Sequence, residues 1–162
     1  MKPMKTLLTI LFISLLSSPS WSVTIGNLVE RDGLYYEKFT DIPFTGEVTG
    51  REQGSFKNGK KEGAWIGYWE DGQLYYKGNY KNDEREGAWV GYFENGQLSF
   101  KENYKNGKEE GEYISYWGDG RLLTKGNFKN GKATGAWVGY LKDGTVFKEW
   151  TGTFKDGVKI SD

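Results

Sequence analysis

The fold is decided by a twelve-residue stretch that recurs along the chain. Residues 63–74 read Gly-Ala-Trp-Ile-Gly-Tyr-Trp-Glu-Asp-Gly-Gln-Leu, and residues 87–98 read Gly-Ala-Trp-Val-Gly-Tyr-Phe-Glu-Asn-Gly-Gln-Leu. More divergent copies begin at Gly111 and Gly135, so the units start 24 residues apart. A fixed period of this length is typical of repeat proteins, in which each unit packs only against its neighbours.

Glycine-containing dipeptides predict tight turns within each unit. We expect two-residue type I′ hairpin turns, which need positive φ at both central residues. These turns are Asp71-Gly72, Asn95-Gly96, Asp119-Gly120 and Asp143-Gly144. A second series lies between units, at Asn58-Gly59, Asn106-Gly107, Asn130-Gly131 and Asp156-Gly157. Asn82-Asp83 breaks that second series. Either its loop takes another conformation, or Asp83 adopts the left-handed region at some cost.

Strand pairing across the first turn predicts that one face of each hairpin collects aromatic rings. With a two-residue turn, Trp65 opposes Gly78, Gly67 opposes Tyr76 and Trp69 opposes Leu74, and directly opposed residues share a face. Within each hairpin, the glycines then make room for rings. Burying a ring contributes about 1.5–3 kcal/mol, which exceeds the cost of about 0.5–1 kcal/mol for a strand glycine. The opposite face would be mixed, with Tyr68 and Tyr75 on it. The predicted structural repeat residues are Gly63, Trp65, Gly72, Gly87, Trp89, Gly96, Gly111, Gly120, Gly135, Trp137 and Gly144.

These patterns predict an all-β protein, built as an elongated single-layer antiparallel sheet of stacked β-hairpins. Residues 23–45 are interpreted as an N-terminal capping segment and residues 46–62 as a truncated repeat. Three full repeats follow at 63–86, 87–110 and 111–134, and residues 135–162 form a fourth repeat with a C-terminal cap. Irregular end units are typical of repeat arrays, because they cap the stack.

The N-terminus predicts a helical signal peptide over residues 1–22. Lys2 and Lys5 precede an apolar run at 7–16, and the small residues Ser20 and Ser22 suit a cleavage site before Val23. A run of ten residues is too short to span a bilayer, which needs about 20. The sequence therefore predicts an exported protein, periplasmic or secreted.

Composition argues against several function classes. The chain has 22 basic and 22 acidic residues and neither Cys nor His. Nucleic-acid binding is not expected, because it needs clustered excess Lys and Arg. Thiolate nucleophiles, imidazole bases and Cys/His zinc sites are excluded. The acids lie in turns and loops and do not suggest the carboxylate pair of a glycosidase. We predict a non-enzyme without cofactor or bound metal.

The repeated pattern Gly-x-Trp-x-x-Tyr-x-x-Asp-Gly-x-Leu, followed by Gly-Asn-Tyr-Lys-Asn-Gly-Lys, resembles the bacterial variant of the MORN repeat, over roughly residues 29–158. The same repeat type occurs in antitoxins of the YwqK family. The resemblance implies a twisted antiparallel sheet of hairpins without catalytic residues, and attachment to membranes or assembly with proteins. The antitoxin label implies neutralising a toxin, usually in the cytosol, and the predicted signal peptide argues against that label.

Two sets of residues are candidates for a binding surface. Tyr68, Tyr92, Tyr116 and Tyr140 recur in register on the mixed face and could form an exposed ladder. Glu102 replaces glycine opposite Trp89, and Lys148 replaces an aromatic residue opposite Gly139, so each marks either an exposed edge or a contact surface. The aromatic stripe itself is either the core of the sheet or a stacking surface for sugars.

The favoured hypothesis is an exported binding or scaffold module whose partner is another protein. Two alternatives stay open, namely envelope attachment through aromatic contacts to glycan or lipid, and antitoxin-like neutralisation of a partner toxin.

Overall fold

A computed structural model describes residues 22–162, and this part of the chain is almost entirely β-structure. The predicted signal peptide lies outside the described residues, apart from Ser22. Two short 3-10 turns span Ile25–Asn27 and Lys148–Trp150. The strands are β1 (Val23–Thr24), β2 (Leu28–Arg31), β3 (Leu34–Glu37), β4 (Gly46–Thr49), β5 (Glu52–Lys57), β6 (Lys60–Tyr68), β7 (Leu74–Lys81), β8 (Glu84–Tyr92), β9 (Leu98–Lys105), β10 (Lys108–Glu109), β11 (Gly111–Tyr116), β12 (Leu122–Lys129), β13 (Lys132–Gly139), β14 (Gly152–Lys155) and β15 (Val158–Ser161).

One sheet holds thirteen of these strands, and from β4 onward their spatial order follows the chain. The short strand β10 pairs with β9 off this path, and β1 joins β4 in parallel at one edge. The other pairings described are antiparallel. The prediction of an all-β protein is therefore confirmed, and its one large sheet is mostly antiparallel.

The N-terminal end of this sheet is covered by the separate β2–β3 hairpin. Leu28 of β2 is buried in one cluster with Val48, Phe56 and Trp65, and the ring of Tyr35 lies 4.9 Å from that of Phe56. At this end the molecule has a second layer, which the single-layer prediction did not include.

The two series of turns differ in length. Between units, Asn58 and Gly59 have φ of 51° and 78°, and Asn106 and Gly107 have 50° and 73°, as type I′ turns require. Asp83 follows the same pattern with φ of 69°, so the second of the two predicted outcomes is the correct one. Its carboxylate Oδ1 accepts a hydrogen bond from the N–H of Lys61 at 2.7 Å.

Within units, the prediction of two-residue turns is wrong. The N–H of Trp69 donates to the carbonyl oxygen of Gln73 at 2.8 Å, and the N–H of Gly72 donates to that of Trp69 at 3.0 Å. These bonds enclose the three-residue loop 70–72, in which only Gly72 has positive φ, at 87°. A type I turn followed by a left-handed glycine has this pattern. The side chain of Asp71 stabilises it by accepting from the N–H of Gln73 at 2.9 Å.

The longer loop changes the strand register next to it. The predicted pairs of Gly67 with Tyr76 and of Trp65 with Gly78 are confirmed, but Leu74 pairs with Tyr68 instead of Trp69. Tyr75 is consequently an extra, bulged residue. Its ring lies 4.1 Å from that of Trp69 and 5.4 Å from that of Tyr76. Tyr75 therefore lies on the aromatic face, and its predicted place on the mixed face is wrong.

Glycines and rings interlock both within and between hairpins. Tyr76 lies over Gly67 of its own hairpin, where a Cβ would come within 2.3 Å of the ring. Trp89, in contrast, lies over Gly78 of the preceding unit, where a Cβ would come within 2.2 Å. Trp65 and Trp137 have the same relation to Gly54 and Gly126. The tryptophans thus join successive units, which the within-hairpin prediction did not foresee.

Candidate functional site

A groove of about 500 Å³ lies on the aromatic face, from the truncated repeat across the first two full repeats to the start of the third. We call it the polar groove. Its walls include five tyrosines and two pairs of opposite charge. The tyrosines are Tyr75, Tyr76, Tyr80, Tyr104 and Tyr113.

Two cations cover tryptophan rings in the polar groove. The Nζ of Lys61 lies 4.3 Å from the centre of the Trp65 ring, and the guanidinium carbon of Arg85 lies 4.5 Å from that of Trp89. Lys61 and Arg85 are 24 residues apart and occupy the same position of successive units. Cations over ring faces are stabilising. Here they also shield the rings from solvent, and Trp65 and Trp89 are only 0% and 2% exposed.

Each cation has a carboxylate partner. Lys61 Nζ lies 3.8 Å from Glu52 Oε2, and Arg85 Nη1 lies 3.3 Å from Glu102 Oε1. Arg85 Nη1 also donates to the hydroxyl of Tyr104 at 2.9 Å. The groove therefore has two positive and two negative side chains, and these charges cancel. Such a lining suits a neutral or mixed-charge ligand better than a polyanion.

Burial shifts the proton equilibria of the polar groove. It raises the pKa of the Glu102 carboxyl above its usual value, against the opposing effects of Tyr104 and Arg85. It also raises the pKa of Tyr104 to about 12, with a further contribution from the charge of Glu102, and it raises the pKa of Tyr76. Both tyrosine hydroxyls consequently stay protonated near neutral pH and can donate hydrogen bonds.

The structure places Glu102 inside the sheet, so it does not mark an exposed edge. It pairs with Trp89 across the ladder, as predicted. In other units its position is held by a glycine that underlies the next tryptophan, as Gly78 underlies Trp89. The tryptophan that would lie over Glu102 is replaced by Tyr113, which is 24 residues after Trp89. A carboxylate and a smaller ring thus replace the usual glycine and indole at this one step.

Lys148 does not take the aromatic position opposite Gly139, so its predicted place on the aromatic face is wrong, whereas its role in a contact surface stays a prediction. It lies exposed in the 3-10 turn Lys148–Trp150. Trp150 packs on Gly139 instead, where a Cβ would come within 2.8 Å of the tryptophan Cβ. The two extra residues of the last unit are absorbed by the turn, which brings the tryptophan into the aromatic position.

The four recurring tyrosines, Tyr68, Tyr92, Tyr116 and Tyr140, are all half-buried, at or just beyond the ends of their strands. Backbone groups of two of them join units: the indole N–H of Trp69 donates to the carbonyl oxygen of Tyr92 at 3.1 Å, and that of Trp117 to Tyr140 at 3.2 Å. Their role as a binding ladder stays a prediction.

A second depression, of about 350 Å³, lies on the aromatic face over the third and fourth repeats. We call it the apolar cleft. Its walls include Tyr113, Ser115, Phe128, Trp137, Trp150 and Phe154. Sequence reasoning missed both the cleft and the cations of the polar groove. The available signal was the 24-residue alignment, in which a cation recurs at Lys61 and Arg85, whereas the next two positions of the series are Glu109 and Ala133.

Within residues 22–162, no three acidic side chains come together in a way that could hold a metal ion. In the same part of the chain, no helix has the length and apolarity needed to cross a membrane.

Comparison with known families identifies the repeat. The model of the MORN repeat variant matches residues 61–82, 85–106 and 109–130. Each match begins two residues before the unit start inferred from the sequence, and together the matches include the whole of β7, β9 and β12. No curated protein matches the chain. The matched units provide Lys61, Arg85 and Glu102 of the polar groove. The chain is a MORN-repeat protein.

Proposed function

We propose that this protein is an exported, non-enzymatic binding module that holds another protein in the cell envelope or outside the cell, and that the polar groove is the contact site. MORN repeats commonly mediate protein or membrane binding. The basic, apolar and small-residue pattern of residues 1–22 supports export, because it has the three-part layout of a secretory signal.

The side-chain chemistry of the polar groove carries the proposal. Tyrosine and arginine dominate the binding energy of protein interfaces, since they offer large contact areas with polar ends. Here Tyr80, Tyr104 and Arg85 are half-buried and line one groove. Arg85 is already held by Glu102, Tyr104 and the Trp89 ring. Such preorganisation lowers the entropy lost on binding.

The charge balance narrows the class of partner. Nucleic acids and anionic membranes are attracted by clustered excess cations. In the polar groove, Lys61 and Arg85 are each paired with a carboxylate, Glu52 or Glu102. A protein surface that presents hydrogen-bonding groups and both signs of charge matches this lining.

The proposal is tested by capturing partners from envelope extracts with the wild-type protein and with Tyr75→Ala. Tyr75 is 43% exposed, so the substitution should leave the fold intact. We expect a reproducible partner that Tyr75→Ala loses. Leu141→Ala is the matched control, because Leu141 is 42% exposed, nearly as much as Tyr75, and does not line the polar groove. The absence of any reproducible partner, or equal capture by Tyr75→Ala, would count against the groove.

Export is tested separately by cell fractionation and by the mass of the isolated protein. We expect a mature chain that begins at Val23 in the periplasm or the medium. A full-length chain recovered only from the cytosol would contradict this part of the proposal.

Envelope attachment is the second candidate, and exposed apolar side chains at the C-terminal end of the sheet favour it. Trp150, Val158 and Ile160 are 46%, 64% and 61% exposed. Exposed apolar patches often mark protein or membrane contacts. Sedimentation of the protein with purified cell wall or liposomes tests this candidate. If Trp150→Ala weakens the sedimentation and Tyr75→Ala leaves it unchanged, the result supports envelope attachment and not binding of a protein in the polar groove.

Antitoxin-like neutralisation is the case in which the captured partner is a toxin. Relief of toxicity on co-expression tests it.

A further inference from the structure

Among the four full repeats, the row of rings on the aromatic face lacks one ring, in the third repeat. In the first two repeats Tyr76 and Phe100 lie over Gly67 and Gly91, where a Cβ would come within 2.3 and 2.1 Å of the rings. In the last repeat Trp150 packs on Gly139. The corresponding residues of the third repeat are Thr124 and Ser115, which pair across the ladder. Here the ring is missing, and the glycine beneath it has become serine.

A second replacement opens the same place. Lys61 and Arg85, which cover Trp65 and Trp89, each lie four residues before the tryptophan, and the residue four before Trp137 is Ala133. Alanine is too short to cover a ring, and Trp137 is accordingly only half-buried. The apolar cleft lies where the missing ring and the missing cation would have been, with both Thr124 and Ala133 in its walls.

One polar group in the cleft has no partner. Ser115 is 5% exposed, and its Oγ is the one buried side-chain polar atom of the described residues without a hydrogen bond. A buried hydroxyl without a partner is unfavourable and calls for an explanation. The other buried hydroxyl of the cleft is satisfied, because Thr124 Oγ1 donates to the carbonyl oxygen of Val138 at 2.9 Å.

We propose that the apolar cleft receives a tyrosine side chain of the partner protein, with its ring between the aromatic walls and its hydroxyl hydrogen-bonded to Ser115 Oγ. The first repeat has a tyrosine ring at the corresponding place, and a phenol combines an apolar body with one polar atom, as the cleft does. The bound ring lies further from the sheet than Tyr76, because Ser115 carries the Cβ that Gly67 lacks. This inference rests on the proposed function, in which the partner is a protein.

The test uses p-cresol, which is the free side chain of tyrosine, together with N-acetyl-tyrosinamide and toluene. Each is titrated into the protein and followed by NMR at the indole N–H groups of Trp137 and Trp150. We expect saturable binding of p-cresol and N-acetyl-tyrosinamide, with a dissociation constant on the order of 1 mM for such small ligands. Ser115→Ala should weaken p-cresol binding by about 2- to 10-fold and leave toluene binding unchanged.

A refilling variant checks the geometry. The double substitution Ser115→Gly with Thr124→Tyr supplies the missing ring from the chain itself. It should abolish p-cresol binding and raise Tm, because the added ring buries apolar area. Tyr75→Ala, in the polar groove, should leave p-cresol binding unchanged, so that failure of the cleft and failure of the groove are distinguishable.

Three results would overturn the inference. Toluene and p-cresol binding equally, with no effect of Ser115→Ala, would show an apolar cleft without a phenol site. Binding of p-cresol but not of N-acetyl-tyrosinamide would assign the cleft to a free small aromatic molecule. Unchanged indole resonances with both phenols at about ten times the expected dissociation constant would exclude a ring site.

Discussion

Replacing Gly78 by alanine tests the interlock between successive repeats. A Cβ at this position would lie 2.2 Å from the ring of Trp89, where ordinary contact begins at 3.4 Å. The ring would therefore have to move by about 1.2 Å, the difference between the two distances. Trp89 is 2% exposed, its N–H donates to the carbonyl oxygen of Asn79 at 3.1 Å, and Arg85 lies on its face. It has little freedom to move.

The expected loss follows from these contacts. Overpacking a core costs about 1–3 kcal/mol, and expelling a buried tryptophan costs about 3–5 kcal/mol. Alanine also reduces the entropy of the unfolded chain, which offsets about 0.4–1 kcal/mol. We expect Gly78→Ala to lower the free energy of unfolding by about 2–4 kcal/mol, as measured by urea denaturation at neutral pH.

Gly118→Ala is the matched control. No atom lies within 4 Å of a Cβ built at Gly118, and its φ is not in the left-handed region. This substitution should leave the free energy of unfolding unchanged or raise it by up to about 1 kcal/mol. If Gly78→Ala costs less than about 1 kcal/mol, or no more than Gly118→Ala, the interlock does not hold the repeats together as argued.

Three further predictions concern other departures from the repeat. Asp83→Ala keeps a non-glycine residue in the left-handed region and loses the hydrogen bond from the N–H of Lys61, so it should lower the free energy of unfolding by about 1 kcal/mol in urea denaturation. Asp83→Gly should lower it by less, because glycine adopts the left-handed region without strain. Because burial raises the folded-state pKa of Glu102, the folded state binds more protons than the unfolded state above pH 4.5. The free energy of unfolding of the protein should therefore fall as pH rises above 4.5, and Glu102→Gln should remove this fall. If the free energy of unfolding of Glu102→Gln falls with pH as it does in the wild type, the fall does not come from Glu102. Glu102→Gly combined with Tyr113→Trp restores the common pattern and should raise the free energy of unfolding by about 1–3 kcal/mol, and a lower Tm would contradict this.

The period and the composition of the repeat were enough to predict the sheet and the confirmed strand pairs. They were not enough for turn length. Asp71-Gly72 ends a three-residue loop, whereas in Asp156-Gly157 both residues have positive φ, at 51° and 85°. The same dipeptide thus occurs in two kinds of turn. The turn type depends on the pairing of the adjacent strands, because the bulged residue Tyr75 offsets the change of register that the three-residue loop causes.

Binding sites were harder to predict than strands, because they arise from contacts between units. Strand pairing shows that Trp89 opposes Glu102, but not that its ring leans the other way onto Gly78. It also gives no sign that Arg85 covers this ring, since the two residues are four apart on one strand. Comparing each position with its counterpart 24 residues away would have identified Arg85, Ser115 and Thr124.

The agreement between chain order and strand order has a consequence for how the molecule folds. Each strand after β4 bonds to neighbours that are close in sequence, so few long loops must close, and such topologies fold fast. A chain emerging N-terminus first, from a ribosome or a translocation channel, can add one hairpin at a time to a surface already formed over β2 and β3. Assembly can thus proceed in one direction, and a chain stopped at any turn exposes a single growing edge.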